Sequence, residues 1–515
     1  MLFNSLEFCI FFPIIFTLYF VSTHKIKRNL VSQIILLTAS LFFYACWNPS
    51  YLALILISVI ITYLSGVYME KYEAKKKLIL TVSLVSNLAI LFFFKYYNFF
   101  VDSVHTASTI LGCEITIPNF NVLLPVGISF YTFQALGYSI DVYNKKISAE
   151  KNFITYALFV TFFPQLVAGP IERTKNLLDQ FKVDYKIDYE RITSGLKLCA
   201  WGYFKKVVVA DRLAIYVNGI YNNVEGSTGS ALALATFFFA FQILCDFSGY
   251  SDIAIGVSRI LGFNLMKNFN RPYFSKSIPE FWRRWHISLS TWFKDYLYIP
   301  MGGNRCGTFR RYFNLFTTFF VSGIWHGAAW HYIIWGTLHG VYQIIGISTS
   351  KLRTKIGLKT KVLFEDASTK TGVRAKRPWQ YVQAFITFVL TCFAWMFFRA
   401  NTMDDSLKII RKFCTVPSEV IYSIKDFLQG NHVSSVRNLF LLTESISGYG
   451  FKHVLGAFCL IAILLVVDLL TRKTEGVELI KKQKWYVRWP LYYAITFAIL
   501  FLGTSGKSEF IYFQF

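Results

Sequence analysis

FWRRWHISLSTWFKDYLYIPMGGNR, Phe281 to Arg305, places two adjacent arginines, a histidine, a lysine and an aspartate among three tryptophans. Its surroundings make it unusual. Residues of the types AVILMFWYC form 54% of the 515-residue chain and charged residues only 16%, whereas a soluble domain carries about a quarter charged residues. Long apolar runs lie on both sides: Leu30–Cys46, Leu52–Val67, Leu78–Phe94 and Ala231–Leu244 before the stretch, Val382–Phe398 and Val454–Leu469 after it. With their aromatic flanks these runs reach the ~20 residues of a spanning helix. A large soluble protein would have to wrap so many buried helices in a polar layer, and the chain has too few polar residues to make one. The fold class is therefore an all-α polytopic membrane protein, with roughly eleven to thirteen membrane-associated helices expected at ~20 residues each. In that setting the charged stretch is either a boundary between helices or part of a reaction centre.

The net charge of +24 points to topology rather than to nucleic acid. Lysines and arginines gather in short segments, at His24–Arg28, Met69–Lys77, Asn144–Asn152, Lys351–Arg377 and Arg472–Lys484. The segments between them, such as Trp47–Ser50 and Val101–Asn119, are poorer in base. That asymmetry is the positive-inside pattern. It predicts a first helix running from outside to inside, and a closing GKSEFIYFQF on the outside. The opening MLFNSLEFCIFFPIIFTLYFVS has no basic leader region and no small-residue cleavage site, so it reads as a retained span. The nine cysteines are scattered, without CxxC or a Cys/His cluster, and indicate neither a metal site nor a disulfide framework.

No internal repeat and no separable soluble domain is evident. The chain reads as one integral membrane domain, 1–515, with scaffold helices in 1–100, a polar core in 120–345, and C-terminal helices in 380–515 that carry an insertion at 400–450. In the core, Leu123–Tyr143 and Phe159–Thr174 combine Pro and Gly with Gln, Asp, Glu and Arg. They predict kinked or interrupted helices, which membrane depth tolerates only where backbone is buried in protein or lines a polar cavity. Gly195–Val217, with Lys197, Lys205, Lys206, Asp211 and Arg212, reads as a tilted or partly interfacial helix. Ala231–Phe263 carries Gln242, Asp246, Ser248, Tyr250, Ser251 and Asp252 between apolar faces.

Ionisable residues inside a membrane protein usually face a cavity or one another. His326, in SGIWHGAAW, is the leading candidate: a neutral imidazole is a natural general base for a hydroxyl, and Gly323 and Gly327 allow close approach. His331 and His339 read as packing residues. A helix through 281–293 would put Trp282, Trp285 and Leu289 on one face, with His286 at its edge and Arg283 one turn earlier. Arg283 and Arg284 suit the phosphates of a donor substrate, or simply mark a cytoplasmic boundary.

The same residues carry a family pattern. RPYFSKSIPEFWRRWHISLSTWFKDYLYIPMGGNR, SGIWHGAAWHYIIWGTLHG and FFPQLVAGPIER resemble the membrane-bound O-acyltransferase (MBOAT) superfamily. MLFNSLEF and FIYFQF resemble the branch of membrane subunits that acetylate alginate and other bacterial exopolysaccharides. The likeness covers essentially the whole chain, with no departure in the two signature blocks. It implies an MBOAT-type helical bundle around a central funnel or tunnel. It makes His326 the family's invariant histidine and His286 its upstream partner position. It also implies transfer of an acetyl group from a cytoplasmic thioester, acetyl-coenzyme A or another acyl thioester, to a hydroxyl across the bacterial inner membrane. No permanently bound cofactor is implied. The expected partners are the thioester donor, a secreted polysaccharide or an extracytoplasmic acetyltransferase of the Ser-Asp-His kind, and membrane lipid. Relatives that transfer D-alanine to teichoic acid or acyl groups to peptidoglycan are the alternatives, and a non-enzymatic transporter of acyl groups is the competing class.

In such a reaction His326 would take the hydroxyl proton, and His286, Asn314, Ser322 or a backbone N–H would hold the oxyanion. No Gly-x-Ser-x-Gly elbow occurs, so direct transfer is expected rather than an acyl-enzyme.

Overall fold

The computed structural model describes residues 1–26, 29–113, 115–120, 124–349, 377–443, 447–472, 474–504 and 510–511. Among them every regular element is helical. Leu6–His24, Tyr51–Lys71, Glu73–Ile110, Gly229–Leu261, Trp379–Arg399 and Phe451–Leu470 are long and apolar enough to cross a membrane. The first of these leaves Ile10, Ile14 and Leu18 exposed while burying Phe8, Phe11 and Ile15. Spacing of four residues makes the exposed set one stripe, an apolar face suited to lipid rather than water. The basic segment from 351 to 376 lies outside the described residues, as do Tyr512–Phe515.

The chain forms two compact units. One comprises Met1–Val208, Asp246–Lys267 and Val477–Phe515, the other Val209–Cys245 and Asn268–Gly476.

In the first unit the polar core segments resolve differently. Pro125 and Gly127 do not kink a helix but precede one: Ile128–Tyr143 starts at Gly127, whose φ of 75° belongs to the left-handed region. A Cβ there would also stand 2.8 Å from the Leu166 carbonyl oxygen. The second expected break is present. The helix Phe153–Thr161 stops at Phe162, and buried non-helical backbone follows. The Phe159 carbonyl left over at the helix end accepts from Gln134 Nε2 at 2.6 Å and Gln165 Nε2 at 2.8 Å. Side-chain amides thus replace the lost helical donors.

Gly195–Val217 is not one tilted helix. Tyr189–Tyr203 passes into a wide-turn segment, Phe204–Ala210, and then into Asp211–Tyr221. Lys205 and Lys206 face protein rather than an interface. Lys206 Nζ pairs with Asp246 Oδ1 at 2.5 Å, both side chains almost wholly buried. Lys205 Nζ reaches Asp252 at 2.6 Å and Ser248 Oγ at 2.9 Å. Glycines permit the approach. A Cβ on Gly202 would lie 2.7 Å from the Gly249 carbonyl oxygen, and one on Gly195 2.6 Å from that of Gly256, the small-residue contact that lets membrane helices close up. Asp246 has a second donor, the Ile511 N–H at 2.8 Å on Oδ2. Phe510 packs edge-on against Tyr250 at 4.8 Å, and Lys206 Nζ lies 4.5 Å from its ring centre.

In the second unit, Thr308–His326 and Trp330–Ser348 form a helical hairpin, with Arg377–Arg399 packed beside the latter helix. The 400–450 insertion, unplaced by sequence, contains the short helices Met403–Phe413, Val416–Leu428 and His432–Leu439. It grips the start of Gly229–Leu261. The Glu419 carboxylate accepts from the Gly229 and Ser230 N–H groups at 2.9 and 2.8 Å and from the Ser230 hydroxyl at 2.6 Å, a negative group at a helix N-terminus. Lys412 Nζ donates to the carbonyls of Val224, Glu225 and Ser227.

Candidate active site

The expected helix through 281–293 is broken at the histidine. Ile278–Trp282 and Ile287–Phe293 are separate, and His286 between them has φ 43° and ψ 56°. A non-glycine residue in that region is strained and needs surrounding structure to hold it. Asn268 supplies the hold. Its backbone carbonyl accepts from the Ile287 N–H at 2.9 Å, and its side-chain Oδ1 from the Ser288 N–H at 3.2 Å and the Ser288 hydroxyl at 2.9 Å. His286 Nδ1 stands 3.1 Å from the same oxygen. An oxygen that accepts from a backbone N–H is an acceptor, so Nδ1 carries the proton. The neutral imidazole then has its lone pair on Nε2.

This makes Asn268 a positioning residue that sequence reasoning missed. Replacing it with Leu is expected to lower transfer activity about 10- to 100-fold, the cost typical of losing a partner that orients a histidine. Asn268→Asp, which keeps the acceptor, should retain more activity. The two variants compared in one assay check the point.

His326 ends its helix and is 3% exposed. Aromatic rings enclose it: Trp325 at 4.9 Å, Trp335 at 4.7 Å and Phe398 at 5.5 Å between ring centres. The His286 and His326 rings are 6.5 Å apart, so residues forty positions apart in sequence are buried close together. The glycines around His326 serve the hairpin. A Cβ on Gly323 would come 2.6 Å from the Tyr332 carbonyl oxygen, and one on Gly336 2.7 Å from Gly323 Cα.

The remaining site residues divide clearly. His331 Nδ1 donates to the Phe397 carbonyl at 3.1 Å, and His339 Nδ1 accepts from Trp282 Nε1 at 3.2 Å, both buried in packing contacts. Arg283 is exposed. Arg284 is half-buried and paired with Glu280 at 2.5 Å, so part of its charge is already neutralised. Asn314 does not serve as an oxyanion donor: its amide donates to the carbonyls of Met301 and Gly303, at 3.2 Å each, and so pins the MGGNR turn.

A pair of shielded imidazoles within an all-helical membrane bundle suits proton transfer during group transfer at a hydroxyl, the chemistry of an acyltransferase embedded in the membrane. The family comparison agrees. The MBOAT model, membrane-bound O-acyltransferase, matches residues 39–371, and the chain belongs to that family. It is 40% identical over 408 residues to a probable alginate O-acetylase of Azotobacter vinelandii, covering 78% of this chain and 76% of the other. It is 30% identical over 546 aligned positions to a peptidoglycan O-acetyltransferase of Helicobacter pylori, covering 100% and 98%. A teichoic acid D-alanyltransferase of Bacillus subtilis is 29% identical over 238 residues, 44% of this chain and 59% of the other. The protein is thus a multi-pass membrane acyltransferase.

Proposed function

We propose that this acyltransferase moves an acetyl group from a cytoplasmic thioester, acetyl-coenzyme A or another acyl thioester, across the bacterial inner membrane to hydroxyls of a secreted polysaccharide. The observation that carries the reading is the His326–His286 pair, 6.5 Å apart and buried among aromatic rings, in a chain 40% identical to a probable alginate O-acetylase. The attacking hydroxyl gives its proton to His326 as its oxygen bonds to the thioester carbonyl carbon. The carbon–sulfur bond then breaks, and the imidazolium returns the proton to the departing thiolate. His286 orients the base or the hydroxyl through its Nε2 lone pair. Arg283, with Arg284, contacts the phosphates of the donor. The immediate acceptor is the polysaccharide itself or an extracytoplasmic acetyltransferase that passes the group on.

A second reading, peptidoglycan O-acetylation, is favoured by the end-to-end match to the Helicobacter enzyme. Deleting the gene separates the two. Loss of ester-linked acetate from the secreted polysaccharide, with muropeptide acetylation unchanged, is the expected result. The reverse pattern would establish the second reading, and no change in either would sink both.

A further inference from the structure

The transfer step needs a donor for the negative charge that develops on the carbonyl oxygen. The two histidines do not meet that need. His326 is occupied as the base, and neutral His286 has its proton at Nδ1, directed to Asn268. The Asn314 amide is engaged by the Met301 and Gly303 carbonyls.

Resting on the acyltransfer reading above, we infer that the indole N–H of Trp335 is the donor that holds the acyl carbonyl oxygen, which makes Trp335 a catalytic residue beside His326. Trp335 is fully buried, yet its Nε1 has no hydrogen-bond partner among the described residues. An indole N–H left so costs about 1–3 kcal/mol, and buried polar groups ordinarily find partners. Trp282, in the same aromatic cluster, shows the ordinary outcome: its Nε1 donates to His339. The Trp335 ring stands nearly perpendicular to the His326 ring, 4.7 Å between centres. It is nearly parallel to Trp395 at 5.6 Å and edge-on to Phe398 at 5.1 Å. Gly336, next in sequence, lies against Gly323 so closely that neither tolerates a Cβ. The ring is thus fixed beside the base without being consumed by it, in apolar surroundings that strengthen a hydrogen bond to developing charge.

The electron accounting is complete. The acceptor oxygen bonds to the carbonyl carbon and the C=O pair moves onto oxygen, where Trp335 N–H meets it. Collapse restores C=O and expels the thiolate, which takes the proton held by His326.

The test replaces Trp335 with benzothienylalanine, the same shape with sulfur in place of N–H, and separately with Phe. Purified protein, with its acetyltransferase partner, acetyl-coenzyme A and polysaccharide, is assayed for kcat, KM and thermal midpoint. The isostere is expected to lose about 10²–10³-fold in kcat, as for removal of one oxyanion donor, with KM and the midpoint close to wild type. Trp335→Phe should lose at least as much. An isostere with wild-type kcat, or a defect confined to KM, would overturn the assignment. So would full activity in the isostere alongside a large kcat loss in His339→Phe, which would move the role to the neighbouring imidazole. A wild-type protein that consumes no thioester would instead defeat the acetyltransferase reading.

Discussion

His326→Ala is expected to abolish acetyl transfer while leaving the protein folded in the membrane. A positioned general base contributes about 10²–10⁴-fold, and an alanine leaves the hydroxyl to attack with its proton in place. The residual rate should therefore fall by about 10³-fold or more. Folding should survive because the helix ends at this residue, and because the hairpin is held by the Gly323–Gly336 contact and by the Trp335, Trp395 and Phe398 rings. Incorporation of labelled acetate into polymer, measured against immunodetected protein in membranes, gives the comparison. Near-normal incorporation would remove His326 from the mechanism. His286→Ala should fall less far, by about 10–100-fold, the range for residues that orient a reacting group rather than take its proton.

Lys206→Met should produce the largest loss of stability. The Lys206–Asp246 pair is almost entirely buried, at 1% and 5% side-chain exposure. Removing one partner of such a pair costs about 3–5 kcal/mol, because the other charge stays behind uncompensated. The thermal midpoint in detergent should drop sharply and the yield of monodisperse protein with it. Replacing both residues, Lys206→Met with Asp246→Leu, should recover most of the loss, since no buried charge then remains. What stays unrecovered is the Ile511 N–H, which loses its acceptor at about 1–3 kcal/mol. A single variant as stable as wild type would show that water or lipid headgroups reach Lys206.

The spans were legible because length and apolarity are nearly sufficient for a membrane helix, and the runs around Leu52–Val67, Val382–Phe398 and Val454–Leu469 became helices at those places. Interruptions were legible in kind but not in place. A Pro–Gly pair reads alike whether it breaks a helix or starts one, and only the contact of Gly127 with Leu166 decides. Buried lysines were misread as interfacial because their partners, Asp246 and Asp252, lie about forty residues away with no periodic link. The expectation for His326 rests on family resemblance rather than composition, and the structure adds its burial beside His286. The positive φ of His286 was hidden: helical periodicity describes a continuous helix, and the residue that stabilises the break, Asn268, sits in an unremarkable KNFN run. Trp335 was one of twelve tryptophans, and only the three-dimensional structure sets its fully buried ring, with an unmet N–H, 4.7 Å from that of His326.

The bond from Ile511 to Asp246 joins residues 265 positions apart. During synthesis the aspartate and Lys206 emerge long before that amide exists. The helices that carry them must therefore enter the lipid and pair while one carboxylate oxygen still waits for its donor. The nascent chain thus holds an open acceptor in its interior until residue 511 is made, and that amide closes it. A ribosome that stalls shortly before codon 510 would hold a chain whose six long apolar helices among the described residues are already made while this one buried acceptor is still unmet.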